Sequence, residues 1–360
     1  MKKVEWNDIP VKIEVILDRL GIPFNEKEFT QAGFDAIAEA MHQLYPDQEG
    51  LYYGTVIPYF LGGSDPLDGV EVWKSQKGIP HWHYVTYGFT ELYEKESDDP
   101  SVSGYGFELT FRLKRGDEVE PPAWPISLLQ NLARYVFSSG NVFGPGHHMN
   151  ANGPIALETD TKLTALGFRT DPQLAEKDTP NGTMTFLQVV GITEDEMNSM
   201  MCWNGEKFLA AMEEYCPLCV TDLSRSSMME NSDFYRAWQE GMAKDGSSTA
   251  FLYMDELDVR SENGHITIRI GAGHDITAAD MLKARVGKGR TLLIQSRENA
   301  VLFSPGMEAK VTEEDDMVTL TLPAAALEEL CGRLQSHAGI YPLTASPVTI
   351  EVVPTKIKDA

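Results

Sequence analysis

Apolar and polar residues alternate without a break from Tyr105 to Leu113. Tyr105, Phe107, Leu109, Phe111 and Leu113 fall on one side, and Gly106, Glu108, Thr110 and Arg112 on the other. A period of two predicts a β-strand with one buried face and one wet face. The run Pro80–Phe89 just upstream is aromatic enough to be a second strand. Its odd positions bring His81, His83, Val85, Tyr87 and Phe89 to one side. A polar, acidic loop separates the two runs.

Helical spacing governs Phe34, Ile37, Ala38, Met41, Leu44 and Tyr45, and Pro46-Asp47 ends that run. Thr55–Leu61 reads as a strand, with Pro58 marking an edge or bulge, and Leu61–Asp68 as a turn-rich loop. A further helix starts near Trp124-Pro125, where proline suits the first position and Ser127 with Gln130 has capping-box spacing. Leu128, Leu129, Leu132, Tyr135 and Val136 form its stripe, and Gly140 is its stop. Thr183–Gly191 predicts a strand, followed by a helix capped by Thr193 and Glu196 and broken at Trp203-Asn204-Gly205.

Further on, short strands are expected at Thr249–Met254, His265–Ile270, Thr291–Gln295, Met317–Leu322 and Val348–Val353. Helices interrupt them after Thr277 and from Pro323 to Ser336. The fold class is therefore α+β, as two mixed α/β domains. A chain of 360 residues is long for one core, and a serine-rich polar shift near 224–247 supplies a boundary. The expected division is an N-terminal extension (1–28), an N-terminal domain (29–225), a linker (226–248) and a C-terminal α+β domain (249–360). No internal repeat is visible.

Charge changes this picture more than composition does. The net charge of −24 disfavours phosphate backbones and favours a basic partner, although acidity also serves plain solubility. No apolar run is long enough to span a bilayer, and Met1–Asp8 lacks the apolar core of a secretory signal. Four cysteines do not make a disulfide framework, so the expected setting is cytoplasmic, with no membrane and no nucleic-acid partner.

Candidate chemistry is sparse. His81 and His83 share a strand face and His147-His148 form a second pair, which raises a metal-binding protein or metal-dependent hydrolase as the alternative reading. Hydrogen-bonded histidines at a strand edge are the plainer account. Cys216-Pro217-Leu218-Cys219 has CxxC spacing but neither a second pair nor a strand-to-helix setting, so these cysteines read as structural. Gly144-Pro145-Gly146 is no phosphate loop, Gly104 and Gly106 permit close packing in a strand, and Glu313–Asp316 reads as a solvated turn. No serine elbow or HExxH occurs, and no cofactor is expected.

Several longer segments resemble the suppressor of fused family. They are Tyr45-Pro46-Asp47-Gln48, Leu61-Gly62-Gly63 with Asp65-Pro66-Leu67-Asp68, and His81-Trp82-His83-Tyr84. Gly104–Arg115, Leu132–Phe137, Thr179-Pro180-Asn181-Gly182 leading into Thr185–Gly191, and Trp203-Asn204-Gly205 complete the series in order. The match is dense over about 30–225, and the C-terminal part is similar only in pattern.

The resemblance implies a regulator that binds proteins and catalyses nothing. In animals the family restrains Gli-type transcription factors by gripping a short extended peptide in a cleft between two domains, much as a sheet accepts an added strand. By position it implies partner contacts at Tyr135, Phe143 and Gln173, and at Glu262 and Ile266 in the C-terminal domain, beside the strand near Thr249–Tyr253. Where the family has an aspartate, this chain has His147, which changes the peptide accepted. The missing long insertion makes the chain similar to compact bacterial-type members, which are thought to act as immunity proteins beside secreted toxins. The expected function is sequestration of a basic peptide or protein in a cleft between the two domains of this chain, with toxin neutralisation as its use.

Overall fold

The two aromatic runs lie side by side as β4 (His81–Tyr87) and β5 (Val102–Lys114), antiparallel, with His83 directly opposite Arg112. The computed structural model describes residues 2–3, 30–55, 57, 59, 63–262, 264–273, 275–314, 317–334, 337–344 and 346–354. Most of the expected N-terminal extension, 4–28, lies outside the described residues. The chain divides into two compact units: 1–194 with 212–227, and 195–211 with 228–360.

In the first unit β4 and β5 are central in a nine-stranded sheet. Its other members are β1 (Lys2–Lys3), β2 (Leu51–Gly54), β3 (Gly69–Ser75), β6 (His148–Asn150), β7 (Leu163–Thr170), β8 (Lys177–Thr179) and β9 (Gly182–Thr193). The order is β1-β2-β3-β4-β5-β9-β7-β6, with β8 beside β9; β5 and β9 run parallel, and the other strand pairs described in this sheet are antiparallel. The strand expected at Thr55–Leu61 is replaced by β2. Thr55 and Ile57 are outside any strand, and 56, 58, 60 and 61 lie outside the described residues.

A helix covers each face of this sheet. Phe34, Ile37 and Met41 of α1 (Ala32–Leu44) bury into a core with Trp73, Val85, Tyr87 and Phe186. Leu129, Leu132, Ala133 and Val136 of α2 (Trp124–Ser139) bury against Tyr84, Leu109, Phe111 and Phe168 on the other face. Gly140 ends α2 in the left-handed conformation (φ 73°), as its sequence position predicts. The expected capping box does not form. Pro125 opens the helix without a side-chain cap, while Gln130 is buried and binds the Leu67 backbone through both its oxygen and its nitrogen (3.4 and 3.3 Å).

Because both faces are covered, the wet face expected for β5 does not exist. Glu108, Thr110 and Arg112 are fully buried, and so are His81 and His83 beside them. Glu108 survives there because its carboxylate accepts from Thr86 Oγ1 (2.6 Å), Gly88 N (3.0 Å), Thr90 N (3.0 Å) and Thr90 Oγ1 (2.7 Å). Burial outweighs these bonds and pushes its pKa up to about 7. Glu108→Gln puts an amide N–H₂ where a carboxylate oxygen stood, so at least one of these four bonds must be lost or reversed, and at Oε1 the N–H₂ would face the backbone donors Gly88 N and Thr90 N. The expected cost is about 1–3 kcal/mol, read as a lower urea midpoint. An unchanged midpoint would show the carboxyl to be replaceable.

The segment 212–227 closes one end of this polar face. Gln188 Nε2 donates to Leu218 O (2.7 Å), Thr221 N to Arg112 O (2.8 Å), and Arg169 reaches Glu213 (2.7 Å) and Cys219 Sγ (3.1 Å). The Cys216–Cys219 motif therefore belongs to a single 3-10 turn, Pro217–Cys219, in that cover. Burial pushes the Cys219 thiol up to about 11, which suits a structural residue.

Residues 195–211 of the second unit supply most of α3 (Glu194–Cys202) and α4 (Gly205–Glu213), which meet at Trp203-Asn204, and Asn204 Oδ1 accepts from Lys207 N (3.0 Å) to cap α4. Within the expected linker, 226–248, lies α5 (Ser232–Asp245), capped by Asn231 and held by buried Phe234 and Trp238. Two sheets follow. One has the order β10-β13-β14-β16-β15, from Phe251–Tyr253, Leu292–Gln295, Ala300–Pro305, Met317–Leu322 and Lys310–Glu314. The other has the order β11-β12-β18-β17, from Leu257–Glu262, His265–Gly271, Val348–Val353 and Gly339–Pro342. Ile268, Ile294 and Phe303 from the two sheets meet Leu282 of α6 (Asp275–Arg285) and Leu330 of α7 (Ala324–Arg333) around a small apolar void. Glu313 and Glu314, read as part of a turn, sit in β15, and 315–316 lie outside the described residues.

Candidate functional site

The end of α2 and the sheet edge beside it bring three of the expected contact residues together. Tyr135 is 39% exposed and stacks on Phe143 (5.7 Å, 26°), which stacks on Phe168 of β7 (4.1 Å, 10°). Phe143 itself is buried, so it fixes the outer ring rather than facing solvent. Asn141 Nδ2 donates to the Tyr135 hydroxyl (3.3 Å), and the Ser139 hydroxyl donates to Tyr135 O (2.7 Å). The Gly144–Gly146 turn is anchored by Gly146 N to Phe168 O (2.8 Å) and Phe168 N to His147 O (2.9 Å). His147 is exposed there, just ahead of β6.

β6 is the last strand in its sheet, so one side of its backbone has no neighbouring strand among the described residues. An edge strand flanked by a rigid aromatic ring is a surface that an extended chain can join.

Gln173 belongs to the opposite face. It follows β7 in a turn organised by Asp171, whose carboxylate accepts from Arg112 Nη1 (2.6 Å) and Nη2 (3.0 Å), Thr110 Oγ1 (2.6 Å), Gln173 N (2.9 Å) and Leu174 N (3.2 Å). Arg112 Nη2 also donates to Gln173 Oε1 (3.1 Å). Burial alone would raise the Asp171 pKa, but the guanidinium overrides it and holds the carboxyl well below its usual range. His83 stands 3.7 Å from Asp171, too far for a hydrogen bond, and shares a 2.9 Å bond with the Tyr45 hydroxyl through Nδ1. Burial first and Arg112 second push His83 down to about 3, so it is neutral at pH 7. Burial brings His81 to about 4. This buried assembly is where Tyr45, His81 and His83 of the resembling motifs meet.

In the second unit Glu262 is exposed at the end of β11, an edge strand paired to β12 through Glu262 and His265. Ile266 is fully buried, on the same side of β12 as Ile268 and Ile270, so its side chain serves the core. Phe251 and Tyr253 of β10 are exposed, on either side of buried Leu252.

The four-histidine metal site is not assembled. β4 and β6 are separated by β5, β9 and β7, four spacings of about 4.8 Å, or roughly 19 Å. Among the described residues no three His, Cys, Asp or Glu side chains gather as a metal would require, and no helix is long and apolar enough to cross a membrane.

This architecture defines an α+β protein with a helix on each face of its main sheet and an aromatic-flanked edge strand. Residues 63–226 match the family model described as Suppressor of fused protein. The human Suppressor of fused homolog is 37% identical over 236 residues, 60% of this chain and 48% of that protein, and the mouse homolog matches equally. The chain thus spans about half the length of the curated relatives it matches. The crystal structure of Drosophila Suppressor of Fused shares the fold, with TM-score 0.73 at 21% identity over 93% of this chain and 100% of that one. The Sufu–Fu complex crystal structure matches with TM-score 0.55 at 31% identity, over 59% of this chain and 97% of that one. Through residues 63–226 the chain belongs to the suppressor of fused family.

Proposed function

We propose that the chain works by holding a protein partner, taken up as an extended segment along β6 with Tyr135 as its anchor. The observation that carries this reading is the exposed Tyr135 ring, backed by Phe143 and by Phe168 of β7, the strand that pairs with the edge strand β6. The Sufu–Fu complex supports it from outside, since there a relative of this chain holds a protein. Backbone bonds along the edge supply affinity, and His147 in place of a carboxylate shifts which side chain is accepted. The partner is read as basic from the charge of −24. Sequestration, with no bond made or broken, is the mode of action, and neutralising a basic toxin is the use we assign to it.

Tyr135→Ala is expected to weaken binding of a partner captured from the native cell by about 2 kcal/mol, near thirtyfold, with an unchanged melting temperature. Equal affinity for variant and wild type would remove the anchor and this reading with it. The proposal also places Glu262 at the partner; a Glu262→Ala variant of undiminished affinity would confine the contact to the first unit.

A further inference from the structure

A second concave surface lies on the other side of α2. Phe137 is two residues from Tyr135, about 200° round the helix, and it packs away from the β6 edge. Phe137 meets Tyr105 edge-on (4.9 Å, 61°), Tyr59 (5.3 Å, 79°) and Phe89 (6.2 Å). Together with Tyr93 these rings line a groove of 410 Å³ beneath the loop that follows β4, within the size range of small-ligand sites. Its charged lining residues are all acidic, Asp68, Glu91, Glu94 and Glu96, with Thr90 and Ser97 beside them.

The walls are fixed before any ligand arrives. Asn181 Nδ2 donates to Glu91 O (2.7 Å) and Tyr93 O (3.0 Å), and Gly33 N and Phe34 N both donate to Leu92 O (3.1 Å each). Gly182 follows with φ 110°, and a Cβ there would lie 2.6 Å from the Val102 carbonyl carbon, so only glycine lets the hairpin tip approach. Inside the loop the Glu91 carboxylate accepts from Glu96 N (2.8 Å), Ser97 N (2.6 Å) and Gly104 N (3.2 Å). Lys95, the cation of this loop, is turned inward to Glu91 (2.7 Å) and Val102 O (2.6 Å). Glu94 and Glu96 stay exposed, with no ion pair among the described residues.

Rings in a preset arrangement with carboxylates at the mouth match one side chain best. A guanidinium is planar, stacks on aromatic faces and forks onto carboxylates. We infer that this groove receives an arginine side chain from a basic segment of the partner. The inference deepens the reading of a basic partner by giving its charge a place to dock, distinct from the Tyr135 edge.

The test is calorimetric titration of the whole chain, at low ionic strength, with an end-blocked peptide alternating arginine and glycine. The same peptide with citrulline for arginine keeps shape and loses charge. Binding is expected with arginine and to fall at least roughly tenfold with citrulline, or in Glu94→Gln/Glu96→Gln and in Tyr59→Ala. Glu214→Gln/Glu240→Gln removes two exposed charges elsewhere and is expected to change little, as is Tyr135→Ala. The inference is overturned if the two peptides bind alike, if neither binds, or if the groove and remote variants lose equally. Because Tyr135 is outside this groove, its failure as an anchor would leave the titration intact.

Discussion

Arg112→Met is expected to cost about 3–5 kcal/mol of stability, lowering the melting temperature by roughly 10 °C. Asp171 is 4% exposed and Arg112 supplies both of its charged bonds, so the variant strands a carboxylate among apolar and neutral groups. The turn holding Gln173 and Leu174 would then lose its organiser. The informative comparison is Arg112→Met/Asp171→Asn. With both charges gone, much of the loss should return, because a buried pair is dear to break and cheap to replace whole. A single variant as stable as the wild type would mean that Asp171 is held by its neutral donors alone.

Mild acid should destabilise the protein between about pH 6.5 and 4.5. His81, His83 and His148 are depressed from 6.5 to about 4, 3 and 4, chiefly by burial, so the unfolded chain takes up their protons first. A depressed folded pKa gives stability that is complete above 6.5 and drains as pH falls toward the folded value, at about 1.4 kcal/mol per pH unit per histidine. Glu108 acts in the opposite sense. Its pKa is raised to about 7, so it stabilises progressively as pH falls through that value toward the ordinary carboxylate range. Three histidines against one glutamate leave about two protons, or roughly 2.7 kcal/mol lost per pH unit between 6.5 and 4.5. Urea midpoints at a series of pH values measure this slope directly. His83→Gln should lower it by about one proton's share; parallel curves for variant and wild type would take His83 out of the account.

The sequence made the central strands legible and misjudged their surroundings. Alternation from Tyr105 to Leu113 gave the right period, since the pleat enforces it locally. Whether the second side of that pleat is wet depends on α1 and on 212–227, which arrive from 60 residues or more away in the chain. Asp171, the partner of Arg112, is likewise invisible to local pattern, being 59 residues distant. The Tyr135 and Phe143 positions came from the resemblance, whereas their support on Phe168 and the separation of Gln173 onto the other face needed coordinates. Strands of three residues, such as β6 and β8, are too short for a period to show, and so the open edge went unread. Asn181-Gly182 is a recognisable turn signal, but the grip of Asn181 on Glu91 and Tyr93 is a tertiary fact.

The return of the chain to its first unit at Met212, after seventeen residues spent in the second, sets a condition on synthesis. A nascent polypeptide cut off at Glu194 would expose Gln188 and Arg169, whose partners Leu218, Cys219 and Glu213 had yet to leave the ribosome. Extending it to Ser227 would finish that seal but carry 195–211 along, with Glu196 still awaiting Met228 and Trp203 still awaiting Asp245. Neither half can therefore be severed cleanly by a single cut, and the polypeptide matures as an interleaved whole.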